Sequence, residues 1–280
     1  DHRDLHSFPT RRSSDLLFKP NKTILGGDIA GIVEAAGSGV TMFKPGDAVY
    51  GDLSGCGMGG YAEYVSVPER YLAMKPTNLS FEQAAAIPMA GITALQGLRD
   101  AGKVQAGQKV LINGASGGVG TFAVQIAKAL GAEVTAVCST GKVEMVHSLG
   151  ADHVIDYKKE DFTLGSEKYD LIVAANGYHT LWQYRRVLRP HGIYVMIGGT
   201  NAQIFQALLL GPLLSMMGRQ QFKTVVAKPN RADLDLMRAL VEEGKVTPMI
   251  DRRYPLSEVA EAIRYLERGH AQGKVVINVA

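Results

Sequence analysis

Lys109-Val110-Leu111-Ile112-Asn113-Gly114-Ala115-Ser116-Gly117-Gly118-Val119-Gly120 is the stretch whose reading decides the fold. Five mostly apolar residues run into a glycine-dense turn, and a helical pattern over 119–130 opens out of it. A strand that enters a glycine loop and leaves as a helix is the setting of a dinucleotide-binding fingerprint. Read as G-x-G-x-x-G, the loop has Ala115 in the first position, Gly117 in the second and Gly120 in the third. Missing side chains let backbone amides approach a diphosphate, and the helix N-terminus adds partial positive charge. Taken alone, such a loop is only a tight strand–helix turn. The pattern on either side gives it meaning.

Downstream, short apolar runs at 133–137, 153–155, 171–174 and 193–197 alternate with helical segments at 143–149 and near 181–188. Strands that are apolar throughout, separated by segments of helical period, predict an α/β fold with a doubly wound parallel sheet buried on both faces. The tail from Ala232 reads as helix 234–243, strand 249–254, helix 257–268 and strand 274–279. Upstream, residues 28–74 read as short strands with turn punctuation. A strand starts at 30–33, Pro45-Gly46-Asp47 turns the chain, and 60–67 alternates apolar with polar. Ser80 is positioned as an N-cap, followed by Glu82, and the helical pattern continues through Leu98.

The 280 residues suffice for roughly two domains. Hydrophobic residues at 46% and charged residues at 20% are ordinary globular values. Lys and Arg number 30 against 27 Asp and Glu, a net charge of +3, which gives no support for a nucleic-acid or membrane surface. Cys56 and Cys138 are too few for a disulfide scaffold or a CxxC zinc knuckle and suit a reducing compartment, so a cytoplasmic location is expected. The most apolar segment, 204–217, is broken by Gln206 and Gly211-Pro212 and is too short to span a bilayer. Residues 1–16 have neither a signal-peptide core nor the acid-poor composition of a transit peptide, and they read as a non-native or disordered leader.

The residues after the second strand choose between cofactors. An NAD site places an acidic residue about 20 positions past the glycines, on the ribose hydroxyls. This chain has Val137-Cys138-Ser139-Thr140-Gly141-Lys142 there, and its first acid is Glu144. Ser139 offers a hydrogen bond and Lys142 a charge to a 2′-phosphate. Tyr157, just past the third strand, is placed for the same adenine end. NADPH is therefore expected. Metal chemistry is not: Gly27-Asp28 and Met89 stand where a zinc alcohol dehydrogenase has its ligands, and the H-x-x-x-H spacing of His2 and His6 falls in the leader.

Several blocks now fall together. Gly27-Asp28-x-x-Gly31, Phe43-Lys44-Pro45-Gly46-Asp47-x-Val49, Gly59-Gly60-x-Ala62-Glu63-Tyr64, Gly91-x-Thr93-Ala94, the loop 114–120 and Leu149-Gly150-Ala151-Asp152-x-Val154-Ile155-Asp156-Tyr157 keep one order and spacing. In these blocks the chain resembles the zinc-independent quinone oxidoreductase branch of the medium-chain dehydrogenase/reductase superfamily, and the resemblance runs from about Leu17 to the end. It implies a GroES-like β-barrel domain built from both chain ends beside a central Rossmann domain. The expected divisions are 17–88, with the N-terminal part of the barrel missing, 89–230 for the Rossmann domain, and 231–280 returning to the first domain.

The resemblance also implies hydride transfer from NADPH to a quinone or an activated enone or enal. Alternatives are reduction of a 2-enoyl thioester on the same scaffold, or NADPH binding without turnover in an N-terminally truncated chain. By resemblance, Ser116, Gly118, Val119, Ser139, Lys142 and Tyr157 contact the phosphates and the adenosine end. Thr93 and Gly198-Gly199-Thr200 face the nicotinamide, Asn176 reaches the ribose or ring, and Gly273 and Lys274 close over the cofactor. The substrate is a small hydrophobic carbonyl or quinone, held partly by Leu53, Met58 and the 204–217 segment. That segment reads equally well as a core helix or a homodimer interface. No catalytic acid is assigned.

Overall fold

A computed structural model describes residues 24–176, 179–199 and 201–279. The leader expected at 1–16, and Thr200, lie outside the described residues. The chain divides into two compact units. Of the described residues, those within Thr93–Val226 make up one, and 24–92 together with 227–279 make up the other.

The first unit is a six-stranded sheet, every neighbouring pair parallel. Its strands are β4 (Lys109–Asn113), β5 (Glu133–Cys138), β6 (His153–Asp156), β7 (Tyr169–Ala174), β8 (Leu188–Met196) and β9 (Gln221–Thr224). The spatial order β6-β5-β4-β7-β8-β9 reverses direction between β4 and β7, as in a doubly wound Rossmann sheet. Connecting helices include α3 (Gly118–Ala129), α4 (Val143–Ser148), α5 (Leu181–Val187) and α6 (Asn201–Met216). Strand residues such as Leu111, Ile112, Val137, Ile172 and Val173 are fully buried, which is why these runs carry no alternation. Burying them is the main driving force for this unit, at about 1.5–3 kcal/mol per large aliphatic side chain.

Strand β8 is longer than the 193–197 run suggests. It starts at Leu188, and a register shift sets Tyr169 against Leu188 but Leu171 against Ile193. The intervening Arg189-Pro190-His191-Gly192 forms a bulge, with His191 at φ 66°. The apolar 204–217 segment forms α6, which packs Ala207 and Leu214 inward and leaves Phe205, Leu209, Leu213 and Met216 exposed. Among the described residues no helix is long and apolar enough to cross a membrane.

The second unit holds an antiparallel sheet of β1 (Asp28–Ile32), β2 (Ala48–Asp52) and β3 (Leu72–Met74), and a parallel pair, β10 (Ile250–Pro255) with β11 (Lys274–Asn278). Phe43, Val49 and Leu72 form one small buried cluster of this unit. The C-terminal helices α7 (Arg231–Glu242) and α8 (Val259–Glu267) belong to this unit. The buried Tyr50 hydroxyl donates to the Leu234 carbonyl at 2.6 Å, tying β2 to α7, and Asn278 and Arg253 both reach the Glu82 carboxylate.

Two local expectations are corrected. Residues 60–67 do not form a strand; among the described residues no neighbour offers this segment a ladder, and Tyr64 is largely exposed. The helical pattern from Ser80 is interrupted. Ser80 and Gln83 make a reciprocal capping box for the short α1 (Phe81–Ala85), the reciprocating side chain being Gln83 and not Glu82. A separate α2 (Pro88–Gln96) then starts on Pro88, whose ring cannot continue the preceding turn.

Candidate functional site

The ends of β4 and β7 lie side by side at the reversal of strand order, where an open α/β sheet leaves a crevice for ligands. Beyond Asn113 the chain reverses at Gly114, whose φ of 85° is the left-handed conformation that glycine adopts without strain. A Cβ at Gly114 would sit 2.7 Å from the Asn176 nitrogen and 2.8 Å from its Cβ. At Gly120 a Cβ would run into the Gly114 carbonyl oxygen and lie 2.8 Å from Ala115 backbone carbon. These two glycines let the helix mouth close onto the strand ends. Gly117 differs: its φ is −83°, and a Cβ there would come no nearer than 3.6 Å to the Gly114 oxygen. The space beside it is open.

The amides of this loop fall into two groups. Ala115 donates to the Val137 carbonyl at 3.0 Å and Gly117 to the Gly114 carbonyl at 3.2 Å, so both hold the turn together. Helix α3 has Gly117 as its N-cap and no side-chain cap. Helix geometry therefore leaves the N–H groups of Gly118, Val119 and Gly120 without intrahelical acceptors, aimed out of the helix mouth. Three outward amides, bare glycines and the positive end of a helix dipole form a cradle for an anion. The sequence motif points to this loop, but the turn residue is Gly114, one position before the Ala115 that opens the fingerprint.

The residues expected at the adenosine end, Ser139, Lys142 and Tyr157, follow β5 and β6. Ser139 caps a short 3₁₀ turn, Thr140–Lys142, and its carbonyl accepts from the Lys142 amide at 2.9 Å. Tyr157 is exposed, and its amide donates to the Cys138 carbonyl at 3.1 Å. The sequence reading missed a carboxylate here. Asp156 is register partner to Cys138, accepts the Thr140 hydroxyl at 2.7 Å and the Lys158 amide at 3.0 Å, and has the Lys159 ammonium at 3.7 Å. The Thr140 hydrogen bond above all, with both lysines, holds its carboxyl below the ordinary range. Its charge is thus committed to shaping the 139–142 turn. The Cys138 thiol beneath is buried, and desolvation pushes it up to about 11.

Gly198 follows β8, and a Cβ there would strike the Ala175 carbonyl oxygen, so its backbone lies hard against the end of β7. The loop 114–120, Asn176 and Gly198 are thereby brought together at the switch point, with Gly199 following at φ 145°. Thr93 is buried in α2, one turn before Gly97, which abuts Ile197 after β8. Gly273 and Lys274 belong to the other unit. There the Lys274 ammonium pairs with Asp28 at 3.1 Å, and Asp28 also accepts the Met89 amide at 2.8 Å. Asp52, register partner of Asp28, is 1% exposed and bonded to the Ser54 amide at 2.8 Å. Burial, then repulsion from Asp28, raises its carboxyl pKa, and the same two causes raise Tyr61.

Comparison with known proteins agrees with this architecture. A family model described as "Alcohol dehydrogenase GroES-like domain" matches residues 1–77, and one described as "Zinc-binding dehydrogenase" matches 149–277. A 2-methylene-furan-3-one reductase of Solanum lycopersicum is 38% identical over 92% of this chain, which spans 64% of that protein's length. A chloroplast envelope quinone oxidoreductase homolog of Arabidopsis thaliana is 39% identical over 89% of this chain and 78% of its own. The solved quinone oxidoreductase of Coxiella burnetii superposes with a TM-score of 0.80 at 33% identity, covering 91% of this chain and 79% of that one. The chain belongs to the medium-chain dehydrogenase/reductase superfamily, in the branch that holds quinone oxidoreductases and enone reductases.

One family label does not fit these side chains. Zinc needs three or four Cys, His or carboxylate donors around one point. Among the described residues no group of three such side chains converges, and the Asp28 carboxylate is taken up by an ammonium and an amide.

Proposed function

We propose that this chain is an NADPH-dependent oxidoreductase that delivers a hydride to a quinone or an activated enone or enal, without zinc. The observation that carries the proposal is the cradle at the switch point, where bare glycines and three outward amides meet at the mouth of α3. In this reading Ser116, Gly118, Val119 and Gly120 hold the diphosphate, and Gly117 lets it approach the backbone. Ser139, Lys142 and Tyr157 take the adenosine end, and Lys142 meets the 2′-phosphate that no free carboxylate opposes. Asn176, Gly198, Gly199 and Thr93 border the nicotinamide side. The bound cofactor supplies the hydride; the chain binds, orients and keeps water from the reacting carbon.

The relatives' names, one a quinone oxidoreductase homolog and one a furanone reductase, support both acceptor classes. The proposal takes 89–230 as the cofactor domain, and 17–88 with 231–280 as the substrate domain. It places the chain in the cytoplasm, as a homodimer joined through the exposed apolar face of α6. Mixing the chain with NADPH and either a small quinone or an enone, and following loss of reduced nicotinamide, tests the activity. Turnover with NADPH on one of them is expected. Tight NADPH binding with no turnover on any quinone, enone or enal would overturn the catalytic part. Cell fractionation tests the location and sedimentation tests the dimer.

A further inference from the structure

One buried hydrogen bond joins the cradle to the hydrophobic core behind it. Asn113, the last residue of β4, is 1% exposed, and its side-chain amide donates to the Tyr184 hydroxyl at 2.7 Å. The carbonyl of the same residue accepts two amides from the neighbouring strand end, Ala175 at 2.9 Å and Asn176 at 3.2 Å. The next residue is Gly114, the turn glycine against which Asn176 packs. Asn113 is thus the point where β4, β7 and the glycine loop meet, and its side chain has one direction to go: out of the sheet toward α5.

Tyr184 is well placed to hold it. It is fully buried on α5, a helix fixed at its start by a Thr180–Gln183 capping box. Its ring packs 4.8 Å from Tyr194, 6.1 Å from Phe162 and 5.9 Å from His179. Aromatic packing of this kind gives the hydroxyl little freedom. A hydroxyl with nothing to position would be costly at such a site, because a buried polar group stabilises only when satisfied.

We propose that Tyr184 is a positioning residue for the dinucleotide: through Asn113 it sets the spacing between the glycine loop and the end of β7, and hence the width of the diphosphate cradle. The inference rests on the reading of that cradle as a dinucleotide site. Replacing the hydroxyl by hydrogen leaves the ring packing in place and orphans the Asn113 amide. The end of β4, whose carbonyl bridges to Ala175 and Asn176, then loses the side-chain anchor that fixes it against α5. The adenosine end, built on β5 and β6, does not share this bond.

The test compares Tyr184→Phe with Tyr194→Phe, a change in the same aromatic core that does not touch Asn113. Calorimetric titration uses NADPH and 2′-AMP, a fragment without the diphosphate bridge. The wild-type chain is expected to bind both. Tyr184→Phe is expected to weaken NADPH about tenfold and 2′-AMP less than twofold, raising KM for NADPH with kcat nearly unchanged. Tyr194→Phe should leave both affinities as they are. Should Tyr184→Phe fold poorly, Asn113→Ala reports on the same bond from the other side and should show the same selective loss. Equal affinity of wild type and both variants for NADPH would overturn the inference, as would equal losses for NADPH and 2′-AMP. No NADPH binding by the wild-type chain would instead overturn the underlying dinucleotide reading.

Discussion

Two alanine substitutions, three residues apart, separate the packing role of the loop glycines from their ligand role. At Gly120 a methyl group collides with the backbone of Gly114 and Ala115, which no rotamer change relieves. Alanine gains up to about 1 kcal/mol over glycine inside a helix. Overpacking against a rigid neighbour costs about 1–3 kcal/mol or more, and backbone obstruction lies at the upper end. Gly120→Ala is therefore expected to lose about 2 kcal/mol of stability and to lose cofactor binding with it. At Gly117 the added methyl meets nothing nearer than 3.6 Å, and the backbone φ of −83° suits alanine. The gain from a stiffer unfolded chain, about 0.4–1 kcal/mol, roughly cancels the weaker N-cap. Gly117→Ala should melt within about 0.5 kcal/mol of wild type, because the methyl projects into the open space beside the outward amides. If the diphosphate lies there, affinity falls by a factor of ten or more. Urea unfolding gives the stabilities and calorimetric titration with NADPH gives the affinities. Wild-type affinity in Gly117→Ala would refute the reasoning, since the backbone would then not be approached by the ligand.

Other outcomes follow from the same geometry. Lys142→Ala should weaken NADPH at least tenfold and NADH less than twofold; equal losses would show that this lysine does not read the 2′-phosphate. Asp52 has its pKa raised in the folded chain. Its stabilising contribution is therefore full below the unfolded value, near 3.8, and is lost as pH rises through the folded one. Asp52→Asn should gain on wild type in urea unfolding between pH 4 and pH 7, and a constant difference across that range would contradict the assignment. The Lys274–Asp28 pair is mostly buried, with side chains 21% and 15% exposed. Lys274→Met alone should cost about 2 kcal/mol by stranding Asp28, and adding Asp28→Asn should recover most of it. A double variant no more stable than the single would show that the pair is not the source.

What the sequence discloses here depends on how local the cause is. The runs 109–113 and 133–137 announce their strands because both faces of the sheet are covered there, so composition alone identifies them. The anion cradle is equally local: its glycines, strand and helix occupy a dozen consecutive residues. Residues 60–67 mislead because alternation describes a half-buried surface but not whether a partner strand exists. The bulge at 189–192 looks like the end of a connection, since Pro190 and Gly192 punctuate it, yet pairing with Tyr169 extends the strand across it. The gap in the site reading has the same origin. Asp156 shapes the Ser139–Lys142 turn from the adjacent strand, Tyr184 reaches Asn113 across 71 positions, and Lys274 meets Asp28 across 246. Such pairs are set by topology, and no spacing rule along the chain reports them.

On the proposed reading, the mouth of α3 receives the diphosphate of a nicotinamide coenzyme carrying a 2′-phosphate. Calorimetric titration of the chain with NADPH and with NADH, side by side, tests it most directly. Heat and saturation with NADPH at micromolar concentration are expected, with NADH binding at least tenfold more weakly. No heat with either coenzyme would contradict it.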